Sequence, residues 1–195
     1  MGWSFGGDGS YNKLLEIQDW SGLGFGDTDR QFDSCNYLKI TAVDIPDLSR
    51  TTSLESAFSN CHSITTIPSI NRWDTSNVTD MSGMFNYAEF FNQDLSGWDT
   101  SKVETMKQMF MHATSFDQNI SDWNISNVTT MDNMFNYITL STANYDAILI
   151  AWAAQDVQND VVFHGGGSKY SAAAASAHQS LIDKGWKITD GKQEK

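Results

Sequence analysis

Oxygen-bearing side chains recur between apolar anchors. Asn92 and Asp94 lie inside Phe91-Asn-Gln-Asp-Leu95, and Asp117 and Asn119 inside Phe116-Asp-Gln-Asn-Ile120. In an extended segment the period of two turns the apolar ends to one face and these polar residues to the other. Such a face could hydrogen-bond a polar ligand, or hold a Ca²⁺ ion through carboxylate and amide oxygens. It could equally be a solvated surface with no ligand. Paired acids such as Asp94 and Asp117 are also what a polysaccharide-cleaving enzyme would use for acid and base work. Acids that recur with a repeat argue against that use, which needs one unusual cluster.

The remaining reactive residues form weaker patterns. Cys35 and Cys61 are 26 positions apart. On adjacent layers of a repeat structure they would sit roughly 5 Å apart, a gap that a disulfide spans. The other reading is two buried free thiols packing as small apolar groups. His62, His112, His164 and His178 are scattered and lack the spacing of metal ligands such as HExxH. Gly165-Gly-Gly-Ser-Lys169 lacks the GxxxxGK[ST] spacing of a phosphate loop, and no GxSxG elbow is present. The Asn-x-Ser/Thr sequons at Asn77, Asn119, Asn124 and Asn127 fall out of the Asn/Ser/Thr-rich repeat itself.

These residues are positioned by a repeat. Residues 73–97 read WDTSNVTDMSGMFNYAEFFNQDLSG, and residues 98–122 read WDTSKVETMKQMFMHATSFDQNISD. Residues 123–137 begin a third copy, WNISNVTTMDNMFNY, so the period is 25. Upstream the pattern is worn: Phe58 precedes Phe85 by 27 and Phe32 precedes Phe58 by 26. Trp20, Pro46, Trp73, Trp98 and Trp123 mark about five units, with Thr28 where the later units have methionine. A unit of this length cannot bury its own apolar face, so neighbours must stack into one continuous core. The recurring Val, Met and Phe positions are then core ladders.

Within a unit, Phe91–Leu95 reads as a short strand and Val103, Met106, Met109 and Phe110 as a turn or two of helix or 3₁₀. Ser101 with Glu104 fits a capping box ahead of it, and Ser76 and Ser126 hold the same slot. After Tyr137 the pattern stops. A helix is expected from about Ser141 through about Gln155, and a strand at Val161–Phe163. An Ala-rich helix over Ser171–Asp183 and a last strand at Trp186–Ile188 follow. The expected organisation is an N-terminal linker or domain edge over 1–13, with Gly6-Gly-Asp-Gly9, and repeats over 14–137. A C-terminal cap over 138–190 and a frayed tail over 191–195 complete it.

Composition limits the function classes. The formal net charge is −12 and the pI about 4.4, which disfavours nucleic acid and anionic membranes as partners. No apolar run reaches the ~18 residues of a membrane span. Met1-Gly2-Trp3-Ser4 carries neither the basic nor the apolar part of a leader, so any export signal is expected upstream.

The unit WDTSxVxxMxxMFxxAxxFxxxxS, running from Trp73 to Ser121, resembles that of the BspA-like leucine-rich-repeat surface proteins. Ala42-Val-Asp-Ile-Pro-Asp-Leu-Ser49, Asn144-Tyr-Asp-Ala-Ile-Leu-Ile-Ala-Trp152 and Gly185-Trp-Lys-Ile-Thr-Asp190 are similar to segments of the same family. The resemblance implies an α/β repeat fold: a leucine-rich-repeat-like right-handed solenoid with short parallel strands, helical or 3₁₀ segments and an α/β cap. It implies an extracellular or cell-surface adhesion module, part of a larger modular protein, that binds a protein or glycan. It brings no catalytic motif, so the expectation is a chain that is not an enzyme and needs no cofactor. The alternatives are a structural spacer of a larger exported or virion protein and the polysaccharide-cleaving enzyme.

Overall fold

The computed structural model describes residues 16–21, 23, 25 and 29–194. The expected linker over 1–13, Thr28 and the last residue of the expected tail lie outside them. Successive repeats lie one on another in parallel. Bridges join Ser53 to Asp80, Asp80 to Thr105 and Thr105 to Thr130. The same ladder continues through β3 (Thr130–Met131), β4 (Val162–His164) and β5 (Lys187–Thr189), all paired parallel in that order. Near the start, β1 (Glu16–Ile17) pairs in parallel with β2 (Lys39–Ile40).

The local structure of a repeat differs from the sequence expectation. Residues 91–95 and 116–120 form no strand, and the ladder runs through Asp80 and Thr105, beside the stretch expected to be helical. That stretch is a chain of turns. The N–H groups of Met81, Gly83, Phe85 and Tyr87 donate to the carbonyls of Thr105, Lys107, Met109 and Met111 in the next layer, at 2.8–3.1 Å. The intervening N–H groups of Met84, Asn86 and Ala88 return to Met81, Gly83 and Phe85. Every backbone donor from 81 to 88 is thereby used, since Ser82 N–H donates to Asp80 Oδ1 at 2.7 Å.

A left-handed residue opens each alternate turn. Gly83 and Tyr87 have φ of 62° and 58°. The pair recurs at Gln108 and His112, Asn133 and Tyr137, Ser56 and Asn60, and Arg30 and Ser34, all with positive φ. A right-handed helix cannot pass through a left-handed residue every four positions. The capping-box expectation fails for the same reason. The N–H groups of Ser76, Ser101 and Ser126 donate to Asp74, Asp99 and Asn124 Oδ1 at 3.2, 2.9 and 3.0 Å, making side-chain turns rather than helix starts.

The stacked layers align their apolar side chains. Phe32, Phe58, Phe85, Phe110 and Phe135 form one column with ring centroids 5.4–5.8 Å apart and near-parallel planes. Phe163 ends it edge-on, at 6.1 Å and 79°. Phe91 and Phe116 make a second column, 6.4 Å apart, and Trp98 and Trp123 a third, 6.2 Å apart. The indole N–H of Trp98 donates to Ile70 O and that of Trp123 to Leu95 O, tying each ring to the preceding layer. Trp73 stands differently. Pro46 holds the tryptophan position of the preceding unit in sequence, and Trp73 meets Trp20 edge-on at 5.5 Å. The recurring methionines Met81, Met84, Met106, Met109, Met131 and Met134 are fully buried in the same core.

Beyond the repeats, α1 (Thr142–Ala153) buries Tyr145, Ile148, Leu149 and Trp152, one stripe at helical spacing. The shorter α2 (Ala175–Asp183) packs against it. The expected frayed tail is corrected. Gly191 N–H donates to Ser168 O, Glu194 N–H to Tyr170 O, and Gln193 bridges Tyr170. Among the described residues no helix is long and apolar enough to cross a membrane.

Phe110 touches Phe85, Phe116, Trp123 and Phe135 and has no exposed surface. Phe110→Ala is expected to lower unfolding free energy by about 3–5 kcal/mol, read from the midpoint of urea denaturation.

Candidate functional site

The residues expected to form a ligand face accept hydrogen bonds from backbone and side-chain donors. Asn92 Oδ1 accepts from Asp117 N–H at 3.0 Å and from Gln118 Nε2 at 2.7 Å. Asp94 accepts from Ser96 N–H at 2.8 Å and from Asn71 Nδ2 at 2.9 Å. Asp117 Oδ1 accepts from Ser141 N–H, Ser141 Oγ and Asn144 Nδ2 at 2.8–3.0 Å, and so holds the start of α1 from the layer before it. Asn119 Oδ1 accepts from Ser121 N–H at 3.0 Å. The structure brings Asn92 and Asp117 together across layers, joins Asp94 both to its own turn and to Asn71 of the preceding layer, and leaves Asn119 in a local turn. Each of these four side chains has at least one oxygen that accepts from an internal donor. Among the described residues no group of three or more His, Cys, Asp or Glu is placed to hold a metal.

Of the two readings of Cys35 and Cys61, the structure has the free thiols. Both are fully buried, and Cys61 Sγ donates to Phe32 O at 3.0 Å. Burial pushes the Cys35 thiol up to about 11 and raises that of Cys61 as well.

The histidines, scattered in sequence, each find a neighbour. His178 Nε2 lies 3.1 Å from Asp190 Oδ2, which also accepts from the Tyr145 hydroxyl at 2.9 Å. Tyr170 stacks on His178 at 4.3 Å. Burial first, then Asp190, holds the Tyr145 phenol well above the ordinary range. This buried cluster ties α1, α2 and the C-terminal segment together. His62 lies 3.4 Å from Glu89.

His112 belongs to a surface column that the sequence reading missed. Its ring stacks on Tyr87 at 4.2 Å and 15°, and on Tyr137 at 4.0 Å and 14°. All three residues are left-handed turn residues at one offset of the repeat, so stacking the layers lines up their rings. Unlike the phenylalanine columns, this one lies at the surface: Tyr137 is 65% exposed. Phe90, 57% exposed, projects from one of the same layers. The available signal was the aromatic identity of 87, 112 and 137 at the 25-residue period.

A polar groove of about 460 Å³ is lined in part by Asp33, Glu55, Asp80, Arg30 and Lys107. Burial, then Asp29 and Asp80, raise the Glu55 carboxyl. On another edge, Asp74 and Asp99 are held below the ordinary aspartate range. The hydroxyls of Ser76 and Ser101 are the main cause, and the backbone N–H groups of the same serines add to it.

A family model described as "Mycoplasma protein of unknown function, DUF285" matches residues 27–159, more than half of the chain. No curated protein and no solved structure matches the chain.

Depressed carboxyls stabilise the fold above their unfolded pKa, and this contribution is lost as pH falls through the folded value. Asn124 shows that asparagine makes the same turn. The double variant Asp74→Asn/Asp99→Asn is therefore expected to lose stability less steeply than the parent below about pH 4, measured by acid titration of circular dichroism. Both cysteines are expected to resist a thiol-specific reagent at neutral pH in the native chain, and to react once urea unfolds it.

Proposed function

The chain belongs to the DUF285 family, and we propose that it is a non-catalytic recognition module, displayed on an extracellular or cell surface, that binds a protein or glycan. The fold that suits this role is a leucine-rich-repeat-like solenoid of the BspA-like kind, with residues 138–190 as its cap. Consecutive 25-residue blocks bonded layer to layer support that assignment, as does the WDTSxVxxM unit. A stack of this kind is rigid, because each layer satisfies the backbone of its neighbour.

The observation that carries the reading is the ring column Tyr87–His112–Tyr137, half-buried at Tyr87 and His112 and open to solvent at Tyr137. The buried aromatic columns account for the core, and this one stands outside it. Exposed aromatic side chains held in fixed positions are the usual anchors of recognition surfaces. The acid pair of the enzyme alternative fits less well, since Asp94 and Asp117 are occupied with backbone and amide donors. A net charge of −12 turns the module away from nucleic acid and anionic lipid.

The purified chain is expected to be retained on intact cells or extracellular matrix, and unlabelled chain should compete with it. Retention should survive Asp94→Asn. No retention on any surface would favour the spacer reading, and hydrolysis of a polysaccharide panel lost in Asp94→Asn would favour the enzyme.

A further inference from the structure

We propose that the groove at Gly83 is a pocket for the ammonium group of a lysine side chain on a polypeptide partner. The proposal deepens the partner-binding reading and rests on it.

The groove lies where one repeat lacks a side chain that its neighbours have. Arg30, Ser56, Gly83, Gln108 and Asn133 hold the same left-handed offset in successive layers. Gly83 leaves that place empty, and it lines the groove of about 460 Å³ together with residues of the layers on either side. Space does not demand glycine here. A Cβ at Gly83 would have Ser56 Oγ at 3.0 Å, and the next atoms at 4.0 Å. The backbone does not demand it either, since Asn133 holds the same turn at φ 57°.

The absent side chain strands a neighbour. In the layer of Asn133, Asn136 Nδ2 donates to Asn133 Oδ1 at 3.1 Å. Asn86 follows Phe85 as Asn136 follows Phe135, and its Cβ lies 4.0 Å from where a Gly83 Cβ would stand. With no side chain at 83 that pairing is lost, and Asn86 Oδ1 is buried without a hydrogen-bond partner. An acceptor in this state is costly. A turn about the Asn86 Cβ–Cγ bond, which no bond to Oδ1 opposes, brings the oxygen into the groove that Asn86 lines.

Charge and donor number select the ligand. Glu55 and Asp80 line the same groove. Asp80 Oδ1 closes a turn with Ser82 N–H. The Glu55 carboxylate closes none among the described residues. Arg30 meets it at 4.0 Å through a side chain 62% exposed, a contact that water screens. Burial, then the like charges of Asp29 and Asp80, raise the Glu55 carboxyl, so a cation arriving beside it relieves repulsion within the groove. Glu55, Asp80 and Asn86 offer acceptors from three side chains, and an ammonium carries three N–H donors. A bare metal ion matches less well, because among the described residues no group of three His, Cys, Asp or Glu is placed to hold one.

Lys107 decides between sources of the ammonium. Ser56 N–H bonds to Ser82 O and Gly83 N–H to Lys107 O, so Glu55, Ser82 and Lys107 share one offset. Lys107 therefore stands two layers, roughly 10 Å, from Glu55. A polyamine lying along the groove brings a second cation toward it. A lysine within a polypeptide brings its main-chain carbonyl, to which the Lys107 ammonium can donate.

The test is an amide NMR titration of the full chain with a blocked Gly-Lys-Gly tripeptide, its Nζ-acetylated form, and spermidine. The tripeptide should shift the Gly83 N–H and the Asn86 side-chain amide. Its affinity should fall about fivefold or more in Glu55→Gln. It should vanish in Gly83→Asn, which fills the groove and restores the pairing seen at Asn133 and Asn136, with the melting temperature not lowered. Asp94→Asn, outside the groove, should leave binding unchanged. The proposal is overturned if the tripeptide shifts neither signal, or if the acetylated form binds as well. It is equally overturned if spermidine binds more tightly, or if binding is undiminished in Glu55→Gln or Gly83→Asn. Retention on cells that ignores both variants removes the pocket and leaves partner binding standing. No retention of the parent chain removes the reading beneath it.

Discussion

Alternate N–H groups of each turn segment bond to the next layer, and the rest of the structure is arranged around that fact. From Met81 to Ala88, one donor closes a turn within the layer and the next reaches across to the following layer. The same alternation runs from Met106 to Ala113. It leaves no buried donor without a partner in these segments, and an orphaned backbone donor is costly. The geometry requires two left-handed residues four positions apart in each repeat: Arg, Ser, Gly, Gln and Asn fill the first offset, and Ser, Asn, Tyr and His the second. It also fixes the vertical spacing of the layers, so the phenylalanines have no choice but to stack.

This mechanism decides which parts were legible in the sequence. The repeat and its core positions were, because apolar identity at fixed offsets is all that a ladder needs: Phe58, Phe85, Phe110 and Phe135 could be aligned by counting. The helices α1 and α2 were legible too, since both follow the ordinary helical period over nine residues or more. The interior of a repeat was not. Val103, Met106, Met109 and Phe110 fit a helical stripe, but inward-facing residues in successive turns produce the same spacing. Nothing local distinguishes them, because the deciding bonds go to residues 24 positions away. Phe91–Leu95 misled in the same manner: two apolar ends four apart fit a strand or an irregular segment equally.

The Asn and Asp residues show the cost of reading side chains apart from the backbone. As free groups, Asn92, Asp94, Asp117 and Asn119 look like ligands. In place, they fill the gaps that short turns leave in the hydrogen-bond accounting. Acid and amide alternate freely at such positions, as Asp74, Asp99 and Asn124 do. What the turn needs is one acceptor oxygen, and charge is incidental to that need. Much of the acidity of the chain is thus a by-product of turn chemistry, and points less to a cationic partner than the bare charge suggests.

The same reasoning says where function should be sought in a repeat structure. A repeat aligns side chains whether or not the alignment is used, so a column by itself carries little information. Departures from uniformity carry more. Pro46 replaces tryptophan in one unit, and there Trp20 and Trp73, both buried, meet edge-on, so that irregularity lies within the core. Phe163 closes the phenylalanine column, and that end is sealed as well. The outer column ends at Tyr137 beside three glycines, and there the aromatic surface is left open to solvent. Glycines pressed this close to the preceding layer leave no room for a covering side chain, and that is where this architecture leaves an aromatic ring open to something from outside.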